Sequence, residues 1–519
     1  MTEDSEQRQL RLEKLQKLRA EGMDPYRLER YDRTRTAAEV LRRAEEIAQE
    51  GHDLKCDEGR AAFYGSAEQS THVDRLCGRV TRIRLMGKAL FADVRDETGQ
   101  IQAYVRRDEV GEQEYERFKD LDIGDIVGLE GFVFQTRSGE ISLHVKNYQL
   151  LAKCLRPLPI GVEYEGEVHG GLHDVEKRYR MRYVDLLANP AARKYLEARC
   201  RATSAMRRFL EERGFVEVET PVLQTIAGGA AARPFVTHHN ALDEDFKLRI
   251  SLELPLKRLI VGGFEKVFEI GRVFRNEGIS ARHNPEFTMM ELYQAYTDLD
   301  GMMDLVEEMF AAVCTAVNGA PVFTCRSGEV VDLSVRPWRR LPILDGIAEY
   351  GGIGREDLRS LDAAKRACEA AGIPSEKEHS LGGIIEKLHE KFTQPNLIQP
   401  TFITDFPIET SPLAKRHPAD PALTRRFEVY MAGQELGNAF SEINDPLEQR
   451  ARFEEQLRQR AAGDEEAHPM DEDYIRALEY GMPPTGGFGA GLDRLAMVLT
   501  GAPSIRDVIF FPLHRPQKH

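Results

Sequence analysis

Between Leu76 and Leu151 the chain falls into five closely spaced runs rich in β-branched and aromatic residues: CGRVTRIRLMG, ALFADVRDETG, QIQAYVRRD, DIVGLEGFVFQT and EISLHVKNYQLL. Short runs of this kind, separated by turn signals at Gly99, Gly124 and Ser138-Gly139, read as strands of one small β domain. A helical stretch, Glu112 to Lys119, interrupts the series between the third and fourth runs. Beyond Leu151 the pattern changes to longer amphipathic helices and isolated strand-like runs, which a second and larger domain must accommodate.

Three strands, a helix and two strands fit a five-stranded barrel of the oligonucleotide-binding (OB) type; a β domain that merely packs on its neighbour is the alternative. At 519 residues the chain has length for about three folding units of roughly 150 residues each. We expect an N-terminal helical extension over 1–70, the barrel over 71–155, a Pro- and Gly-punctuated linker over 156–187, and a large domain over 188–519. The large domain carries a less regular insertion at about 326–398. In the extension, Leu10, Leu12, Leu15 and Leu18 recur at helical spacing before Gly22 and Pro25, and a second polar helix covers Ala37 to Gln49. Gly51 to Ser70 carries no recognisable chemistry. The fold class is α+β.

Charge restricts the partners. With 71 basic and 86 acidic residues the net charge is -15, so the surface as a whole repels polyanions. The window Arg75 to Arg107 is the exception: Arg75, Arg79, Arg82, Arg84, Lys88, Arg95, Arg106 and Arg107 face only Asp93, Asp96 and Glu97 there, and local basic clusters bind phosphates. No apolar run approaches the roughly 18 residues that span a bilayer, and the N-terminus has no apolar signal region. The 7 cysteines are odd in number and never spaced C-x-x-C, which reads as reduced cytoplasmic thiols without zinc.

Three segments of the large domain could carry chemistry. The loop after VFEIGRVF holds Arg275, Glu277, Arg282 and His283, with Phe287 and Glu291 in the strand beyond. Arginine forks suit phosphate and an aromatic ring suits a purine, although a solvated hairpin with ion pairs inside its loop satisfies the same pattern. Gly486, Gly487, Gly489 and Gly491 precede a helix from Leu492, so a backbone can approach a ligand there. The segment lacks the P-loop and dinucleotide fingerprints, and close helix–sheet packing explains the glycines as well. Arg494, in the first turn of that helix, opposes its dipole, a conflict that bound phosphate relieves. Glu428 and Glu435, with Glu442 beyond them, could hold a magnesium ion bridging phosphates or line a solvated strand edge.

Taken together, GFVEVETPVL, FRNEGISARHNPEFTMMELYQAY and GFGAGLDRLAMVLTGAPSIRDVIFFP resemble motifs 1, 2 and 3 of the class II aminoacyl-tRNA synthetases. The wording is most similar to the lysine-specific branch. It extends to GRVTRIRLMGKALF, LRPLP, RYRMRYVDLL, GGAAARPFVTHHNALD, LKRLIVGGFEKVFEIGRVFRNEG and QELGNAFSEIND, covering about Leu76 to the C-terminus and thinning from Arg326 to Gln399.

The resemblance implies an antiparallel catalytic sheet flanked by helices, a homodimer formed through motif 1, and bent ATP bound with Mg2+. Position by position, it implies that Arg275 holds the α-phosphate and Arg494 the γ-phosphate as the catalytic pair. Arg282 and His283 would assist at the β- and γ-phosphates, Phe287 would stack on adenine, Glu277 would take its amino group, and Glu428 and Glu435 would bind metal. For L-lysine, Glu442 and Tyr293 would receive the ε-ammonium with Glu291 behind them. Glu253 and Gly229 would take the α-amino group, and Asn438 and Phe440 would shape the pocket. In the barrel, Arg84, Phe91, Gln102 and Glu140 would read the uridine-rich anticodon of tRNA(Lys). The implied reaction is attack of the lysine carboxylate on the α-phosphorus, departure of pyrophosphate, and transfer of lysine from the adenylate to tRNA. Positioning and charge stabilisation suffice for it without a general base.

Other readings are an aspartate or asparagine synthetase, a ligase attaching lysine to a protein, and a noncatalytic RNA-binding scaffold. An aspartate pocket needs cations, whereas Glu253, Glu291 and Glu442 are acids that suit an ammonium group. Two residues depart from the family pattern: Ala439 stands where a second glycine is expected, and Pro255 where an aromatic is expected. Both are expected near the amino-acid pocket.

Overall fold

The computed structural model describes residues 3–55, 73–160, 171–375, 380–461 and 467–516, together with 162–164, 167–169 and Glu378. Most of the connector before the barrel, 56–72, lies outside them. The chain divides into two units, 1–173 and 174–519.

In the first unit, α1 (Glu3–Ala20) and α2 (Ala37–Gln49) precede the barrel. Thr36 and Glu39 close a capping box at the start of α2, which removes unsatisfied amides from its first turn. Ala37, Val40, Ala44 and Ile47 form the buried stripe of this helix and share one core with Leu76, Val80, Leu90 and Phe118 of the barrel domain. The second helix of the extension is therefore part of the barrel's packing.

The barrel consists of β1 (Asp74–Met86), β2 (Ala89–Arg95), β3 (Gln100–Arg106), α3 (Glu112–Lys119), β4 (Ile126–Gln135) and β5 (Ile141–Ala152). It closes in the order β1-β2-β3-β5-β4. Closure depends on the length of β1, whose first half pairs with β4 and second half with β2. The register of β4 against β5 shifts at Gly131, where a Cβ would stand 2.1 Å from the carbonyl oxygen of His144. Only glycine permits that approach.

The second unit is built on eight strands. In chain order they are β6 (Val216–Glu217), β7 (Lys266–Phe274), β8 (Glu286–Ala295), β9 (Arg339–Pro342), β10 (Thr401–Thr404), β11 (Arg426–Met431), β12 (Gln434–Ser441) and β13 (Thr485–Gly491). Their order in space is β9-β10-β11-β12-β13-β8-β7-β6, antiparallel except for the outermost pair at each edge. Motif 1 thus contributes a two-residue edge strand to this sheet. The insertion expected at 326–398 contains β9, a strand of this sheet. The α+β reading holds for both units.

Alternation decides what each face of the sheet does. Phe268, Met290, Leu292, Phe427, Val429, Ala439, Phe488 and Ala490 point to one face and pack with α4 (Pro190–Glu211), α6 (Leu299–Asn318) and α9 (Leu492–Thr500). On the other face the intervening positions bring Phe287, Glu291 and Tyr293 of β8, Arg426 and Glu428 of β11, Asn438 and Phe440 of β12, and Gly487, Gly489 and Gly491 of β13 to one cleft. The helix α5 (Glu253–Val261) packs beside that face with α7 (Pro446–Ala461) and α8 (Glu472–Glu479).

Candidate active site

Every residue that the resemblance assigns to ATP, lysine or metal in the large domain lines this cleft of about 1980 Å³, from Gly229 and Glu253 through the motif 2 loop to Glu428, Glu435, Glu442 and Arg494. Gly487 and Gly489 explain its depth. Gly487 pairs with both Tyr293 and Phe440, and Gly489 with both Glu291 and Asn438, so the middle strand lacks side chains between two strands that carry them. A Cβ on Gly487 would lie 2.2 Å from Oε1 of Glu442 and 2.5 Å from Cε1 of Tyr293. This glycine makes room for an acid of the pocket. Helix–sheet packing on the opposite face does not account for it.

One end of the cleft is acidic and buried. Glu253 opens α5, where its backbone N–H donates to Ser251 Oγ at 3.0 Å. Glu291 accepts from the Leu252 amide at 3.0 Å and from the Tyr293 hydroxyl at 3.2 Å. Glu442, one residue beyond β12, is fully buried. Burial pushes Glu291 up to about 7, aided by the neighbouring Glu253. It pushes Glu442 up to about 8 against the pull of a cation that the sequence reading did not include, Lys257. The Nζ of Lys257 lies 2.5 Å from Glu253 and also bridges to Glu442. Its position four residues after Glu253 on one helix face is the signal by which it could have been found.

The other end is cationic. Arg275 is held by the Ile250 carbonyl at 3.3 Å and lies over the Phe287 ring at 5.2 Å, and burial lowers its pKa. His283 pairs with Ser280 Oγ at 3.0 Å; burial, reinforced by Arg494, lowers its pKa. Arg494 donates to the carbonyl oxygen of Glu435 at 2.8 Å and to its carboxylate at 2.9 Å. Glu435, with Asp493 in the same turn, thus answers the helix-dipole conflict at Arg494 without any phosphate. Asp493 itself receives the Thr288 amide at 2.7 Å and Arg199 at 2.6 Å, tying α4 and β8 to the start of α9.

Arg426 joins the two ends and was not among the expected site residues. It donates to Asn438 Oδ1 at 3.1 Å, Ser411 Oγ at 3.0 Å, the Thr410 carbonyl at 3.1 Å and Glu428 at 2.5 Å, and it stacks over Phe406. It precedes Glu428 by two residues on a strand, which places both on the cleft face. Glu428 also accepts from the Tyr430 hydroxyl at 2.5 Å. Among the described residues no group of three or more metal-ligating side chains is preassembled. Magnesium is usually held by one or two carboxylates completed by phosphates and water, and Glu428 and Glu435 fit that requirement. Both add to burial in raising the pKa of Glu390, which places them in one field.

The two departures do not line the cleft. The Ala439 side chain belongs to the apolar core on the opposite face, a consequence of strand alternation. Pro255 sits in the first turn of α5, where its missing N–H is not needed. Both stand beside the pocket without entering it, Ala439 between the lining residues Asn438 and Phe440 and Pro255 two residues after Glu253.

On the barrel, Arg84 pairs across strands with Phe91, whose ring lies 5.0 Å from that of Tyr104. Gln102 donates to Glu140 at 2.9 Å and accepts from Ser142 at 2.9 Å. The basic window is less open than its sequence suggests: Arg84 meets Asp93 at 3.2 Å, while Arg106 and Arg107 pair with Asp108 and Glu112 just beyond it.

The sequence is similar to those of known proteins. Residues 174–515 match the family model described as tRNA synthetases class II (D, K and N), and residues 75–151 match the OB-fold nucleic acid binding domain. A lysine–tRNA ligase of Moorella thermoacetica is 52% identical over 98% of both chains. One from Pelotomaculum thermopropionicum is 51% identical over 98% of this chain and 95% of its own. A third, from Halalkalibacterium halodurans, is 48% identical over 98% and 96%. The chain belongs to the class II tRNA synthetases and, within that class, to the lysine–tRNA ligase family.

Proposed function

We propose that this chain activates L-lysine with ATP and transfers it to tRNA(Lys). The observation that carries the reading is the polarity of one cleft: three buried carboxylates at one end, and Arg275, His283 and Arg494 at the other. ATP lies at the cationic end, with its α-phosphate at Arg275, its γ-phosphate at Arg494 and its adenine on Phe287. Glu277, Arg282 and His283 complete its contacts, and Glu428 and Glu435 would hold Mg2+, which would supply positive charge to the reaction. The ammonium groups of lysine lie at the acidic end. The ε-ammonium meets Glu442, Tyr293 and Glu291, the α-ammonium meets Glu253 and the backbone at Gly229, and Asn438 and Phe440 flank the chain between them. The lysine carboxylate forms the new P–O bond, the α–β bridge breaks and pyrophosphate leaves. The terminal ribose hydroxyl of tRNA then attacks the acyl carbon and AMP leaves. Fixed charges that neutralise the phosphates supply the catalysis.

The barrel reads the anticodon with Arg84, Phe91, Gln102 and Glu140, since unpaired bases are recognised by stacking and edge hydrogen bonds. The exposed apolar side chains Val216, Val222 and Leu223 around edge strand β6 support a homodimer through motif 1. Among the described residues no helix is long and apolar enough to cross a membrane, and we place the enzyme in the cytoplasm. Charging assays with radiolabelled lysine on tRNA(Lys) and tRNA(Asp) test the function. Lysine attached to tRNA(Lys) alone is the expected result, and failure to charge it in the presence of ATP and Mg2+ contradicts the reading.

A further inference from the structure

Against the acids at one end of the cleft, though not in its lining, lies a primary ammonium group that belongs to the protein. Lys257 is fully buried, on the second turn of α5, with Nζ between Glu253 on its own helix and Glu442 beyond β12. The Tyr293 and Tyr474 rings lie 5.8 and 5.9 Å from Nζ. A buried lysine held by two carboxylates is costly to build and needs a reason beyond packing, because a hydrophobic residue of similar volume is commonly as stable.

The charge count of the pocket supplies that reason. When ionised for substrate, Glu253, Glu291 and Glu442 bring together three negative charges that are each buried. Free lysine brings two ammonium groups, and its carboxylate is directed away, towards Arg275. Without another cation one acid remains unpaired, and an unpaired buried carboxylate either takes up a proton or repels its neighbours.

We propose that Lys257 is the fixed third cation of the amino-acid pocket, a positioning residue that ties Glu253 to Glu442 so that two negative charges remain for the two ammonium groups of the substrate. The proposal rests on the reading of this pocket as the lysine site. It makes specificity a matter of number as well as sign: the pocket accepts two ammonium groups, and the protein supplies the third. It also explains why acids from elements far apart in sequence meet at one point.

The test is lysine-dependent pyrophosphate exchange by the full-length enzyme carrying K257M, K257R or K257A. K257M should raise KM for lysine about 30-fold or more, with KM for ATP within about twofold of wild type. K257R keeps a cation between the carboxylates and should stay within about fivefold. In K257A, n-propylammonium should lower KM for lysine about fivefold or more, whereas 1-propanol, its neutral isostere, should not. A side chain that only fills space would be rescued equally by both. Equal rescue, a K257M effect below about threefold, or a K257R loss as large as that of K257M overturns the proposal. Should K257M and K257A not fold, K257R decides alone, and a rise in KM for lysine above about fivefold overturns the proposal. E442Q separates the two readings. If it leaves KM for lysine unchanged, the pocket assignment itself fails; if it raises KM about 100-fold while K257M changes it less than about threefold, only the role of Lys257 fails.

Discussion

The carboxylate of Glu442 fills the space that a side chain at position 487 would need: a Cβ on Gly487 would stand 2.2 Å from its Oε1. Gly487→Ala must therefore displace a buried acid that is held by Lys257, or the Tyr293 ring beside it. Overpacking of this kind costs about 1–3 kcal/mol, which corresponds to roughly a 5- to 150-fold rise in KM for lysine. KM for ATP, which we place at the far end of the cleft, should change little. Equal effects on both substrates in steady-state exchange contradict this placement.

The raised carboxylates give lysine binding a defined pH dependence. Glu291 near 7 and Glu442 near 8 each carry a proton below those values in the empty pocket, while an incoming ammonium group favours the ionised form. Lysine binding should therefore release protons between about pH 6 and 8 and weaken as pH falls through that window. Calorimetry in buffers of different ionisation enthalpy measures the release directly. Stability of the free enzyme has the matching sign: these groups are more protonated in the folded state, so their contribution is full below the ordinary glutamate range and is lost as pH rises through 7 and 8. The increase in Tm on adding lysine should accordingly be larger at pH 8.5 than at pH 6.5.

Arg426 is the residue whose loss should damage most interactions at once. R426K retains the charge but cannot span Asn438, Ser411, the Thr410 carbonyl and Glu428 together. We expect lower thermal stability, a higher requirement for Mg2+ and a higher KM for lysine, since Asn438 and Glu428 lose one support together. A variant with unchanged Mg2+ dependence in exchange assays contradicts the coupling.

On the barrel, Phe91→Ala should separate the two steps of the reaction. Loss of one stacking surface costs about 1–3 kcal/mol, so KM for tRNA(Lys) should rise roughly 5- to 150-fold in charging assays. Exchange, which requires no tRNA, should be unaffected. A parallel loss in both assays would mean that Phe91 acts on the barrel's stability instead.

Sequence pattern made the central parts of this site legible for a physical reason. Period-two alternation in EFTMMELYQAY and RFEVYM separates core from cleft positions, and the glycines of TGGFGAG mark the strand whose missing side chains open the cleft. Three features were hidden. Strand β9 is four residues long and finds its parallel partner some sixty residues later, where no local pattern can announce it. The orientation of Ala439 follows from a register that proximity to Asn438 does not reveal. The spacing of Lys257 four residues after Glu253 also suits an ordinary solvated helix face, and only the fold brings Glu442 to it, because a charge pair between distant elements leaves no periodic trace.

The most direct measurement is ATP–pyrophosphate exchange by the purified enzyme with Mg2+ and without tRNA, with each common amino acid tested separately. Exchange with lysine, and at least about 100-fold less with any neutral or acidic amino acid, is the result predicted from three buried carboxylates around one site. Comparable exchange with aspartate, asparagine or a neutral amino acid would contradict the account, because no arrangement of Glu253, Glu291 and Glu442 in this cleft favours them.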